Sequence, residues 1–199
     1  MIKAINIGKF QVGPGHPPFI IAEACINHFG KIELARQMVY HAHAQGAHCI
    51  KFQYHVLENE MLKEAPQSDN FDEPLYETLD RTNLTLAEHK ELKALCDQLG
   101  IMYLCTPFSR DAADILEKEL KVEAYKVGSG EMTNIPLIEH IARKGKPMIV
   151  STGMCLMEEV AETVAAVKKI GCPLILTHCV SAYPCPYEIV NLGVMKKYE

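Results

Sequence analysis

Two lysines sit inside apolar runs of this chain, Lys51 in 49–54 and Lys126 in 124–129. Burying an ammonium among apolar neighbours is costly unless the charge is paired or used, so each lysine is a candidate for holding an anion. Hydroxyls recur near the ends of such runs: Thr106 before Pro107, Ser129 between Gly128 and Gly130, Ser151 shortly before Gly153, and Ser181. Ammonium groups neutralise charge, hydroxyls and loop N–H groups donate to oxygens, and glycines let the backbone come close. Together that is the chemistry of a site for a phosphorylated carboxylate. Glu23 and Glu131 are the accompanying carboxylates, suited to proton handling or to holding a sugar hydroxyl. Plainer readings stand beside these. Glu23 could simply pair with a lysine, and a lone serine or threonine commonly satisfies turn backbone. His178, after an apolar run, reads by itself as a hydrogen-bonded core residue, and Tyr183-Pro184 as a turn. His41, His43, His48 and His55 read as solvent-facing or structural.

A repeated unit must position these residues: a short apolar run, a polar turn, then a helix. The runs are 19–24, 49–54, 102–108, 124–129, 147–152 and 173–179, apolar on both parities, as buried parallel strands are. Between them, 31–45 places Leu34, Met38 and Ala42 on one helical stripe. Thr85-Leu86-Ala87-Glu88 has the form of a capping box, with Gly100 as the stop. Helices are also expected over 111–120, after Pro136, and over 157–170 with Gly171 closing it. Strands alternating with helices imply an α/β fold with a parallel sheet. The first turn, Glu23-Ala24-Cys25-Ile26-Asn27-His28-Phe29-Gly30, is no Gly-rich phosphate loop. Polar residues instead recur where each strand ends, which is the pattern of a (β/α)8 TIM barrel. Residues 1–18 read as an N-terminal β-hairpin preceding a barrel domain over 19–199. Residues 55–84 read as a long, acid-rich connection of the kind that often carries function.

Composition narrows the class. A net charge of -5 with no dense Lys/Arg block argues against a nucleic-acid surface. The longest apolar runs are strand-sized, so no membrane span is expected, and the first residues lack the apolar core of a secretory signal. None of the eight cysteines forms a Cys-x-x-Cys pair, so they are expected as reduced, buried thiols in a cytoplasmic protein.

At these same residues the chain resembles the N-acetylneuraminate (sialic acid) synthase family. Ile21-Ala22-Glu23 with Asn27-His28-Phe29-Gly30 is similar to that family's opening motif, Lys51-Phe52-Gln53 to its second strand and Thr106-Pro107-Phe108 to its third. Tyr125 through Glu131, Ser151-Thr152-Gly153-Met154, and His178-Cys179 with Ser181 and Tyr183-Pro184 are similar to the fourth, fifth and sixth. The resemblance implies condensation of phosphoenolpyruvate with an N-acetylated amino sugar, typically N-acetylmannosamine, to a nine-carbon 2-keto acid with release of phosphate. It implies that Lys51, Thr106, Lys126, Ser129, Ser151 and Ser181 hold phosphoenolpyruvate, that Glu23 acts in catalysis with Glu131 close by, and that Tyr183 contacts the sugar. It further implies a divalent metal, manganese or magnesium, and a homodimer of the full-length protein. A complete barrel of this kind needs about 250 residues. About six of eight βα units are therefore expected here, with the metal ligands and a C-terminal antifreeze-like domain expected beyond Glu199. Relatives making legionaminic or pseudaminic acid, and a barrel fragment that binds phosphoenolpyruvate without turnover, are the alternatives.

Overall fold

Strand β1 (Ile5–Ile7) and strand β2 (Phe10–Val12) pair antiparallel, turning at Gly8, whose φ of +54° falls where a side chain is disfavoured. The computed structural model describes residues 3–64, 67 and 73–198. The hairpin expected over 1–18 therefore has its first two residues outside the described ones, and the connection 55–84 has residues 65–66 and 68–72 outside them.

The chain divides into two compact units, one of Pro18–Val122 and one that joins the N-terminal segment through Pro17 to Glu123 and beyond. In the first, β3 (Ile21–Cys25), β4 (Cys49–Tyr54) and β5 (Met102–Pro107) form a parallel sheet in sequence order. Helix α1 (Ile32–Ala44) follows β3. Helices α2 (Leu75–Thr82) and α3 (Leu86–Leu99) follow β4, and α4 (Arg110–Lys118) follows β5. In the second unit β6 (Tyr125–Val127), β7 (Met148–Ser151) and β8 (Leu174–Thr177) form another parallel sheet, with α5 (Ile135–Ala142) and α6 (Met157–Ile170) between them. The ladders thus make two separate three-stranded parallel sheets where one continuous sheet was expected. β6 is only three residues long, and its ladder goes to β7.

Local chemistry explains the helix ends. The Thr85 hydroxyl accepts from Glu88 N while the Glu88 carboxylate accepts from Thr85 N at 2.7 Å, and Gly100 closes α3 at φ +74°. Replacing Thr85 with alanine is expected to cost about 1 kcal/mol, read as a lower midpoint in urea unfolding. Ser109 caps α4 through Ala112 N, and Asn134 caps α5 through Leu137 N, one residue before a helix that carries Pro136 in its first turn. The Glu159 carboxylate accepts from Leu156 N at the start of α6.

Helix α1 departs from the expected stripe: Ala35 and Val39 are its buried residues, while Leu34, Met38 and Ala42 are half-buried. The small and β-branched side chains face the sheet. Met38 and Ala42 lie instead along a groove beside β3, whose outer edge has no strand partner among the described residues.

The core of the first unit is built on β4 and β5, buried on both faces. Phe52 stacks on Tyr103 at 5.7 Å, and the fully buried His89 of α3 reaches the Tyr103 hydroxyl at 2.7 Å. All eight cysteines are free thiols. Cys49, Cys96, Cys105 and Cys172 are buried, and burial pushes the Cys96 and Cys105 thiols up to about 12, so they pack as small hydrophobes.

Candidate functional site

In the first unit the site is built around Lys51, in the middle of β4 and 4% exposed. Its ammonium donates to Glu23 Oε2 at 2.8 Å and to Cys25 Sγ at 3.4 Å. Both partners reach it because the β3–β4 register shifts between Glu23 and Cys25, and Cys25 takes a φ of +48°. Burial opposes the Lys51 charge most strongly, but its neighbours outweigh burial and raise its pKa above the ordinary lysine value. Cys25 is the neighbour that raises it most and Glu23 the next, and at neutral pH the Glu23 carboxylate is the anion beside the ammonium. The Cys25 thiol stays protonated, its own pKa raised above all by burial. Glu23 is about half-exposed, so this ion pair has a carboxylate facing solvent and an ammonium facing inward.

Alternation along β4 puts Gln53 on the same face as Lys51, and register places Gln53 opposite Thr106, which is 2% exposed. Beyond the strand end His55 is buried, with Nδ1 2.7 Å from Glu60 Oε1 and Nε2 3.1 Å from Gln53 Oε1. The neighbouring turn buries His28, whose Nδ1 accepts from Gly30 N at 3.2 Å. Burial holds its pKa below the usual histidine value.

The second unit carries the other lysine. Lys126, 8% exposed, donates to Ser151 Oγ at 2.5 Å and to Val127 O at 2.6 Å. Ser151 in turn lies 3.0 Å from Thr177 Oγ1, so the hydroxyls ending β7 and β8 sit together beside the ammonium. Ser129 Oγ accepts from Gly153 N at 3.1 Å. A Cβ at Gly153 would lie 2.5 Å from Ser181 Oγ and 2.8 Å from Ser129 Oγ, so glycine is what lets these two hydroxyls come this close to the backbone. Glu131 accepts from Asn134 Nδ2 at 2.8 Å, a contact within its own turn. Tyr183 is 94% exposed. His178 Nε2 lies 2.6 Å from Val190 O, as a hydrogen-bonded histidine should.

Each parallel sheet thus supplies one buried ammonium, held by a carboxylate and a thiol in the first and by hydroxyls in the second, and known proteins put this arrangement in context. The NeuB family matches residues 38–199. The chain belongs to the NeuB family. An uncharacterised protein of Methanocaldococcus jannaschii is 40% identical over 196 residues, which is 98% of this chain and 56% of that protein. The N,N'-diacetyllegionaminic acid synthase of Legionella pneumophila is 39% identical over 189 residues, 89% of this chain and 53% of the relative. The crystal structure of the N-acetylneuraminic acid (sialic acid) synthetase of Leptospira borgpetersenii, in complex with citrate, superposes with a TM-score of 0.85. It has 32% identity and covers 98% of this chain and 66% of that one. The chain spans about half the length of the curated relatives it matches.

The sequence singled out Glu23, Lys51, Thr106, Lys126, Ser129, Glu131, Ser151, Ser181 and Tyr183. The structure brings together Glu23 with Lys51, Lys126 with Ser151, and Ser129 with Ser181 at Gly153, while Thr106 stands opposite Gln53, Glu131 bonds Asn134 and Tyr183 is exposed. Three participants were not singled out. Thr177 is the last residue of β8 and the register partner of Ser151, and a hydroxyl at that strand end was the signal that could have pointed to it. Cys25 announces itself only through its backbone angle. Glu60 sits in the acid-rich connection with nothing local to mark it. Among the described residues no three His, Cys, Asp or Glu side chains converge as a metal site, so this donor set does not fit a resident metal. No described helix is long and apolar enough to cross a membrane.

Proposed function

We propose that this chain carries the phosphoenolpyruvate site of a sialic acid synthase-type transferase with a (β/α)8 barrel. The enzyme would condense phosphoenolpyruvate with N-acetylmannosamine or a related N-acetylated amino sugar. The observation that carries this reading is the pair of buried ammonium groups at parallel strands, Lys51 held by Glu23 and Cys25 and Lys126 held by Ser151. Lys51, Thr106, Lys126, Ser129, Ser151 and Ser181 are assigned to the phosphate and carboxylate of phosphoenolpyruvate. Their ammonium, hydroxyl and glycine N–H donors match its oxygens.

In this reading C3 of phosphoenolpyruvate bonds to the sugar's aldehyde carbon, and the aldehyde oxygen takes up a proton. Positive charge develops at C2. Water adds there and gives up a proton, and the C2–O bond to phosphate breaks. Inorganic phosphate leaves, taking the proton of the new C2 hydroxyl, and a nine-carbon 2-keto acid remains. Glu23, solvent-facing and tied to Lys51, stabilises the charge at C2 or accepts the water's proton, with Glu131 as the second carboxylate. Tyr183 is assigned to the amino sugar. The manganese or magnesium ion implied by the family resemblance would take its ligands from beyond Glu199, and no step here runs through it. A homodimer of the full-length protein belongs to the same reading, and eight free thiols fit a reducing cytoplasm.

The 39% identity to a legionaminic acid synthase favours a second reading, the same chemistry on a different amino sugar, legionaminic or pseudaminic acid being the product. Phosphate release from phosphoenolpyruvate against a panel of N-acetylated amino sugars separates the two by which sugar supports turnover. Phosphoenolpyruvate binding without release on any sugar would leave a non-catalytic binding fragment. Gly153→Ala tests the hydroxyl pair: its methyl would push Ser129 and Ser181 apart, lowering phosphoenolpyruvate affinity about tenfold. Calorimetry reads the affinity, and an unchanged unfolding midpoint shows that the loss is local.

A further inference from the structure

We infer that the buried Glu60–His55 pair is a positioning device for Gln53, setting which end of its amide faces the strand-end site. His55 is 6% exposed and wedged in place. Its ring stacks on Phe108 at 4.5 Å and 14°, and Asn83 Nδ2 donates to its backbone carbonyl at 3.2 Å. Its two nitrogens face two acceptor atoms, Glu60 Oε1 at 2.7 Å and Gln53 Oε1 at 3.1 Å. The Glu60 side chain is 4% exposed, and its other oxygen, Oε2, is buried with no hydrogen-bond partner among the described residues. Among the described residues, His55 is the side chain that hydrogen-bonds this carboxylate. His89 of α3, whose pKa this imidazole helps to lower, is a further titratable group nearby.

A carboxylate only accepts, so His55 Nδ1 carries a proton whatever the state of the ring. The state of Nε2 then decides the amide. With a proton there, Nε2 donates to Gln53 Oε1, and the amide NH2 is left to the face that Gln53 shares with Lys51 and Thr106. Without it, Nε2 needs a donor, and the amide must turn so that its NH2 meets the ring and its carbonyl faces the site. The two ends of an amide have nearly the same shape, so the turn meets little steric resistance. NH2 toward the site favours an anion, and a carbonyl disfavours one. His55 and Glu60 are thus positioning residues, and histidine is the side chain whose proton changes in the physiological range.

For its consequence on ligand binding this inference rests on the phosphoenolpyruvate reading, but the coupling itself is read on the free chain. Nitrogen-15 spectra of the labelled chain, followed over about pH 5 to 9, report the His55 ring nitrogens and the Gln53 side-chain amide together. The expected result is one shared midpoint for both, which moves when Glu60 is replaced by glutamine. A Gln53 amide indifferent to His55 titration, midpoints that differ, or no titration of His55 in that range would each overturn the inference. Phosphoenolpyruvate affinity is then compared at both ends of the range for the native chain and His55→Gln, so that the ligand's own titration cancels. The native chain should lose at least about threefold more affinity on the alkaline side, and an equal loss in both would overturn the positioning role. Absence of phosphoenolpyruvate binding at any pH would sink the ligand reading alone and leave the spectra to decide the coupling.

Discussion

Acidifying this chain from neutral pH is expected to remove about 5 kcal/mol of stability through one histidine. His89 is fully buried beneath β4 and β5, and burial pushes its pKa from 6.5 to about 3, with His28 and His55 adding smaller repulsions. The fold holds the neutral ring, its Nδ1 at the Tyr103 hydroxyl, while the unfolded chain protonates it near the ordinary value. Stability from this group is therefore complete above about pH 6.5 and is lost progressively as pH falls toward about 3, at about 1.4 kcal/mol per pH unit. His28, lowered by the same cause, pulls in the same direction. A domain holds only about 5–15 kcal/mol in all, so cooperative acid unfolding should follow. Urea unfolding at a series of pH values measures the slope. His89→Gln keeps a polar partner for Tyr103 but cannot take the proton, and its slope between pH 6.5 and 4 should be much shallower. Equal slopes in the two chains would show that His89 is not the acid-sensitive group.

Replacing Lys51 with methionine should lower phosphoenolpyruvate affinity by about 10- to 100-fold while leaving a folded chain, because a charge-assisted hydrogen bond is worth about 1.5–3 kcal/mol. Methionine fills the stem's volume in β4, and Glu23 is exposed enough to be rehydrated. The same variant has a signature in stability. The folded pKa of Lys51 is raised, so its contribution is full below about pH 10.5 and disappears as pH climbs through the folded value. The native chain should therefore lose stability in strong alkali where Lys51→Met does not. Loss of binding without this alkaline difference would mean that the ion pair with Glu23 is not what holds the ammonium charged.

The elements were legible where side-chain chemistry is local. Thr85 and Glu88 cap each other three residues apart, Gly100 and Gly171 stop their helices at positive φ, and the runs 49–54 and 102–108 became β4 and β5 almost unshifted. Helix α2 was missed because charge dominates its stretch, although Pro74 before Leu75 and the Leu75–Leu79 spacing carried a signal. The buried face of α1 was read one position early, since periodicity locates a stripe and only packing chooses which side of it meets the sheet. A lysine within an apolar strand marked where the fold must hold a charge, because few things other than an ion pair, hydrogen bonds or a ligand stabilise it there, and Lys51 and Lys126 are buried with such partners. The grouping of partners was not legible: Cys25 comes to Lys51 through a register shift, and His55 meets Phe108 and Glu60 through tertiary packing that no spacing encodes. Tyr183, prominent in the sequence, stands in solvent and makes its case only if a substrate arrives.

The most direct test is calorimetric titration of phosphoenolpyruvate into the 199-residue chain beside Lys126→Ala. Saturable binding by the native chain, weakened at least about tenfold in the variant, is the predicted result, since Lys126 and the Ser151–Thr177 hydroxyls already stand assembled. A cooperatively folded chain that takes up no phosphoenolpyruvate, or one that binds it equally well without Lys126, would contradict the account.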